Sequence, residues 1–95
     1  MNVIFVFNSV TAAKRVEKTI AKYGVLSNVI HTPKGLGQGG CSHSVRFDER
    51  NVDIVKKVIL ASEINILGVY REIYYNGTCS YRQLTLWRWL YDIFW

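Results

Sequence analysis

A single stretch, Pro33-Lys34-Gly35-Leu36-Gly37-Gln38-Gly39-Gly40-Cys41-Ser42-His43, limits what the rest of the chain can build. It holds the only proline, four of the seven glycines, one of the two cysteines and one of the two histidines. No helix or strand interior suits that density of glycine. Each glycine loses more backbone freedom on ordering than any other residue and gives the core no side chain. The stretch is therefore a loop, with regular structure on either side. It closes on Cys41 and runs into an apolar segment. Two readings of that cysteine stand side by side: a thiol presented on a surface loop, where sites concentrate, and a small buried hydrophobe, the usual condition of a free cysteine.

Before the loop, residues 2–8 form a continuous Val-, Ile- and Phe-rich run, the pattern of a central strand buried on both faces. Ser9 is placed to cap a following helix. Ala13, Val16 and Ile20 then repeat at helical spacing through Tyr23, and Gly24 ends the helix. Lys14, Arg15, Lys18 and Lys22 read as its solvated face. A second strand is predicted over Val25–Thr32. After the loop, Val45 and Phe47 point inward and Arg46 outward on a third strand, and Asp48 caps a second helix. Val52, Val55, Val58 and Ile59 supply its apolar stripe; Asp53, Lys56 and Lys57 supply its wet side. Residues 68–75 alternate as a half-exposed edge strand, and Asn76-Gly77 is a hairpin turn signal.

The order strand, helix, strand, strand, helix, strand places the chain in the α+β class. Its economical solution is a ferredoxin-like βαββαβ sandwich, with both helices on one face of an antiparallel sheet. Ninety-five residues suffice for one such core. The expected division is a ferredoxin-like unit over 1–75 and an aromatic extension over 76–95. In that extension Arg82, Thr85, Arg88 and Asp92 share one helical face among Tyr81, Leu84, Trp87, Trp89, Leu90 and the residues beyond. The spacing predicts an extra C-terminal helix over about 81–93, with room for a short return strand over Thr78–Tyr81 before it. The helix is expected to cover the open face of the sheet, within the chain or in a homodimer.

Composition sets the partner classes. A formal net charge of +5, spread along the chain, is too mild to imply nucleic acid. No segment offers the roughly 20 uncharged apolar residues of a membrane span. The first residues have no basic leader segment, so no secretory signal is expected. The cysteines form no CxxC pair, and a cytoplasmic setting with reduced thiols is the expectation.

In the expected topology the first strand ends where the third begins, which brings Cys41 close to Asn8-Ser9 and the start of the first helix. A helix N-terminus favours anions and lowers the pKa of a cysteine. Ser9, Lys14 and Lys34 are the candidate anion-stabilising residues. His43 shares a strand face with Cys41 and is a candidate assistant to the thiol. Four chemistries remain open on these residues. One is a thiol that carries or transfers a group. The second is a zinc site from Cys41, His43, Cys79 and His31, which lack paired ligand spacing, so no metal is expected. The third is phosphate binding by Gly35, Gly37, Gly39 and Gly40, which match no phosphate fingerprint. The last is a Cys41–Cys79 redox pair.

From its start to about residue 73 the chain resembles the bacterial selenium/sulfur carrier-like family of small domains. The features that carry the resemblance are Phe7-Asn8-Ser9 before a helix, Thr32-Pro33 after the second strand, a small-residue loop closing on Cys41, Val45-Arg46-Phe47-Asp48 before a helix, and Gly68-Val69-Tyr70. Ser42 stands where the family favours glycine, and the aromatic tail lies outside the resemblance. The resemblance implies a cysteine that holds sulfur or selenium in persulfide-like form, with Cys41 at the matching position. It implies donor and acceptor proteins as partners and an accessory protein more than a stand-alone enzyme; no cofactor is expected. The alternative is a non-catalytic interaction or small-ligand regulatory module in which Cys41 is incidental.

Overall fold

The computed structural model describes residues 1–36 and 42–84. Chain order is β1 (Asn2–Phe7), α1 (Val10–Ala21), β2 (Ser27–His31), β3 (His43–Asp48), a 3-10 turn (Glu49–Asn51), α2 (Val52–Ser62), β4 (Gly68–Tyr75) and β5 (Thr78–Leu84). The strands form one sheet in the order β2-β3-β1-β4-β5, with every neighbouring pair antiparallel. The architecture is α+β: a five-stranded antiparallel sheet with two helices.

The continuous apolar run of β1 follows from its place. It lies between β3 and β4, and Val3 to Phe7 are all buried. Alternate side chains serve different cores. Val3, Phe5 and Phe7 join Ala13, Val16 and Ile20 of α1 and Val55, Val58 and Ile59 of α2 in the main cluster, so both helices pack on one face of the sheet. Phe5 and Phe47 meet edge-on there, with centroids 5.1 Å apart. Ile4 and Val6 point the other way, to a smaller cluster with Tyr70, flanked by Ile30, Leu36 and Tyr81.

The helix boundaries follow local chemistry. Ser9 is extended and its Oγ accepts the Ala12 N–H at 3.1 Å, the cap expected of it. Gly24 takes φ +82, a value that disfavours any residue with a Cβ, as the chain turns toward β2. Asp48 also caps, but what it caps is the 3-10 turn: its carboxylate accepts the Arg50 N–H at 2.9 Å, and α2 starts only at Val52. That backbone bond, reinforced by the Arg50 guanidinium, holds the Asp48 carboxyl below its usual range.

Three expectations are corrected. Lys56 is not on the wet side of α2 but buried, since it stands four residues from Val52 and three from Ile59 on the same stripe. The strand over 68–75 is not an edge, because β1 pairs with it on one side and β5 on the other. The expected helix does not begin at Tyr81: residues 81–84 are strand, paired from Glu72↔Tyr81 to Val69↔Leu84. The Asn76-Gly77 turn, with φ of 49 and 77, sets this register. Once the hairpin closes, each further residue of β5 gains a ladder partner on β4, which a helix starting at Tyr81 would forfeit. Residues 85–93, the rest of that expected helix, lie outside the described residues.

Candidate functional site

The glycine-rich loop hangs from the β2–β3 pair at the end of the sheet where β1 finishes. His31 and His43 are directly opposite in register, and their rings lie 4.7 Å apart at a tilt of 41°. One step outward, the Thr32 N–H donates to the Ser42 carbonyl at 3.2 Å, and the Thr32 and Ser44 hydroxyls bond at 2.7 Å. The outgoing limb begins as a turn in which the Leu36 N–H donates to the Pro33 carbonyl at 3.1 Å. Gly35 has φ +86 in its third position, as a type II turn requires. Leu36 then packs against the cluster of Ile4, Val6 and Tyr70, so this limb is anchored to the sheet by an apolar side chain.

Cys41 and Gly37 to Gly40 lie outside the described residues. Cys41 is one peptide bond before Ser42, which is buried, and two residues before His43. His43 pairs with Phe7, the last residue of β1, and Ser9 follows two residues later as the cap of α1. The sheet thus brings His43 and Ser9 to one end of the molecule. The Nδ1 of His43 is buried with no hydrogen-bond partner among the described residues. The Ser9 oxygen is occupied as an acceptor by Ala12, so only its hydroxyl proton is available to an anion. Lys34 is exposed at the second position of the Pro33–Leu36 turn. Lys14 is exposed about one turn into α1. It borders a surface notch with Val25, Leu26 and Ser27, on the side of the helix that faces β2.

Cys79, an exposed free thiol, lies elsewhere. It is opposite Tyr74, beyond the level at which β1 starts, and so at the other end of the sheet from His43. The four residues that made up the zinc inventory are therefore not gathered in one place. Among the described residues no group of three His, Cys, Asp or Glu side chains could hold a metal ion.

Beside Cys79, on the sheet face opposite the helices, is a polar cluster that the sequence did not single out. Glu72 is 3% exposed, and one of its oxygens meets the Arg46 guanidinium at 3.0 Å, the Tyr74 hydroxyl at 2.7 Å and the Asn2 amide at 3.2 Å. Burial pushes this carboxyl up, but the bonds from Tyr74 and Asn2 and the charge of Arg46 outweigh it, so it ionises below its usual range. The bond to Glu72 raises the Tyr74 phenol in turn. Burial and a hydrogen bond with Cys79 push Tyr81 up to about 12. No local signal in the sequence pointed to it, because it follows from the pairing register: Arg46 opposes Ile4, which opposes Tyr70, two residues from Glu72 on the same face.

The chain matches over residues 2–71 the family described as "Putative Se/S carrier protein-like", and it belongs to that family. Neither the curated proteins nor the solved structures give a match. The match runs from β1 into β4 and includes the whole glycine-rich loop. Membership points to proteins that donate and accept the carried element as partners. Among the described residues no helix is long and apolar enough to cross a membrane.

Proposed function

We propose that the protein carries sulfur or selenium on the thiol of Cys41. The observation that carries this reading is the family match, which spans the loop that ends on Cys41. In the sulfur case the Cys41 thiolate attacks the outer sulfur of a donor persulfide, R–S–SH. A new S–S bond forms, the donor's S–S bond breaks, and the donor leaves as the thiolate R–S⁻. An acceptor thiolate then attacks the outer sulfur on Cys41 and regenerates the Cys41 thiolate. No net oxidant or reductant is needed, because the sulfane sulfur moves between thiols at constant oxidation level.

The remaining assignments belong to the same proposal. The amides at the start of α1, with the Ser9 hydroxyl, favour the thiolate and the persulfide anion. His43 and Lys34 assist at the loop, and Lys14 adds positive charge along the helix. The fold is a ferredoxin-like split βαβ sandwich over residues 1–75, a reading supported by the order β2-β3-β1-β4 and by the two helices on one face. Residues 76–95 are an added segment that packs on this unit or on a second copy. The working compartment is the reducing cytoplasm, where thiols persist.

The test is the rate of iodoacetamide alkylation against pH, with Cys41→Ser and Cys79→Ser as controls, followed by incubation with a persulfide donor. Cys41 is expected to titrate below the free value of about 8.5, to react faster than Cys79 at neutral pH, and to take up sulfur. A Cys41 that titrates at or above the free value and takes up no sulfur refutes the carrier and leaves the interaction module.

A further inference from the structure

The outer face of α1 presents charge of one sign only. Lys14, Arg15, Lys18 and Lys22 are all exposed. At 3.6 residues per turn they fall within an arc of about 100° and run about 12 Å along the helix. Three carboxylates elsewhere already have cationic partners: Asp48 with Arg50, Glu49 with Arg71 and Glu72 with Arg46. None of the four α1 cations is in an ion pair among the described residues. Glu17, on the flank, uses its carboxylate to accept the Val29 N–H at 3.2 Å. The four cations are the densest run of basic residues in the chain.

The helix itself does not benefit from this pattern. Lys14–Lys18 and Lys18–Lys22 are like-charge pairs four residues apart, which repel. The first turn holds no acidic residue to match the helix dipole. A face that served solubility alone would do as well with alternating signs, and those would add stability.

Beside the stripe lies a largely apolar notch of about 420 Å³, bordered by Lys14, Lys18 and Glu17, whose carboxylate is engaged by the Val29 N–H, and walled by Ala21, Val25, Leu26 and Ser27. Leu26 is 89% exposed, a large aliphatic side chain with little covering it. We infer that this surface docks an acidic protein segment that carries an apolar side chain between its carboxylates. The carboxylates would meet the lysines and the apolar side chain would enter the notch beside Leu26. A nucleic-acid backbone fits less well, because a phosphate chain has no group to place against aliphatic walls. That the partner is the donor or acceptor of the carried element rests on the carrier reading above; the docking itself does not.

The experiment is an amide-resonance titration of the full chain with the peptide acetyl-Glu-Glu-Leu-Glu-Glu-amide, at low and at physiological ionic strength. Shifts are expected along residues 14–27, with affinity falling several-fold as salt screens the charges over about 8–10 Å. Lys18→Glu combined with Lys22→Glu is expected to weaken binding about tenfold or more, because like charges are then opposed. Replacing the peptide leucine by serine weakens it several-fold. The inference is overturned by an absence of shifts at millimolar peptide, by equal binding to the charge-reversed variant, or by tighter binding of single-stranded oligothymidylate than of the peptide. The variant replaces only exposed side chains; it turns the Lys14–Lys18 repulsion into an attraction and leaves one like-charge pair at positions 18 and 22 as before, so it is expected to fold. The readout does not involve Cys41, so docking and sulfur transfer fail or hold separately.

Discussion

Replacing Glu72 by glutamine tests the polar cluster on the face opposite the helices. The change keeps the side chain's shape and one acceptor oxygen but removes the charge that Arg46 meets at 3.0 Å. Breaking a fully buried pair costs about 3–5 kcal/mol. Here the relief is partial: the Arg46 side chain is 35% exposed and recovers water when its partner is lost. The glutamine carbonyl still accepts the Tyr74 hydroxyl, so the loss is close to that of one hydrogen bond to a charged group, about 2 kcal/mol at neutral pH. At a urea dependence of about 1–1.5 kcal/mol per molar for a small domain, the unfolding midpoint falls by about 1.3–2 M. The pH dependence has a definite sign. Glu72 ionises below its unfolded-chain value when folded, so its contribution is complete above that value, about 4.3, and is lost as pH falls through the folded value. The gap between wild type and Glu72→Gln should therefore close in acid. Urea unfolding of both proteins at pH 7 and in steps below pH 4.5 measures it. A variant within about 0.5 kcal/mol of wild type at neutral pH, or a gap that persists unchanged in acid, refutes the reasoning.

Three further outcomes are expected. Ser9→Ala removes the acceptor of the Ala12 N–H and should cost about 1 kcal/mol in urea unfolding; no change would mean that water caps α1 equally well. Cys79→Ala removes a hydrogen bond that raises the Tyr81 phenol, so the Tyr81 ionisation, near pH 12, should move to lower pH in an ultraviolet titration; an unmoved curve assigns the shift to burial and the remaining neighbours. Deleting residues 78–95 strips β5 from β4 and bares a strand edge, so aggregation or a change of oligomeric state should appear by light scattering. A truncated protein that stays monomeric, with an unchanged urea midpoint, contradicts this.

The parts legible in the sequence are those set by near neighbours. The apolar run of β1, the Ser9 cap and the Asn76-Gly77 turn each depend on a few adjacent residues, and each stands where the pattern put it. The misreadings arise where distant segments decide. The burial of Lys56 depends on how far the apolar face of α2 extends against the sheet. Tyr81 to Leu84 have side-chain spacing that suits a helix, but a hairpin already in register offers backbone partners that local spacing cannot express. Glu72 appeared as one polar residue on an alternating strand, and its role depends on Arg46, contributed by β3 from the opposite side of β1. At the candidate site, the residue types around the loop were legible, and so was the meeting of the β1 and β3 ends. The apposition of His31 and His43 was not, because it follows from a β2–β3 register that is set across the loop.

The central position of β1 has a consequence for how the chain is made. This strand emerges during synthesis before either of its neighbours, which are contributed by residues 43–48 and 68–71. At ribosomal rates of about 5–20 residues per second, a run of buried Val, Ile and Phe waits on the order of several seconds for its second partner. During that interval it is an unpaired, uncharged, β-prone segment, the kind that self-associates or recruits a chaperone. Assembly also depends on contacts distant in sequence, which slows it relative to a helical protein of the same length. An acidic residue introduced in place of Asn2, at the entrance of the strand, would shield the nascent segment, but it would set a second negative charge beside Glu72, where Asn2 donates its amide. Protection during synthesis and stability once folded therefore compete at that single position.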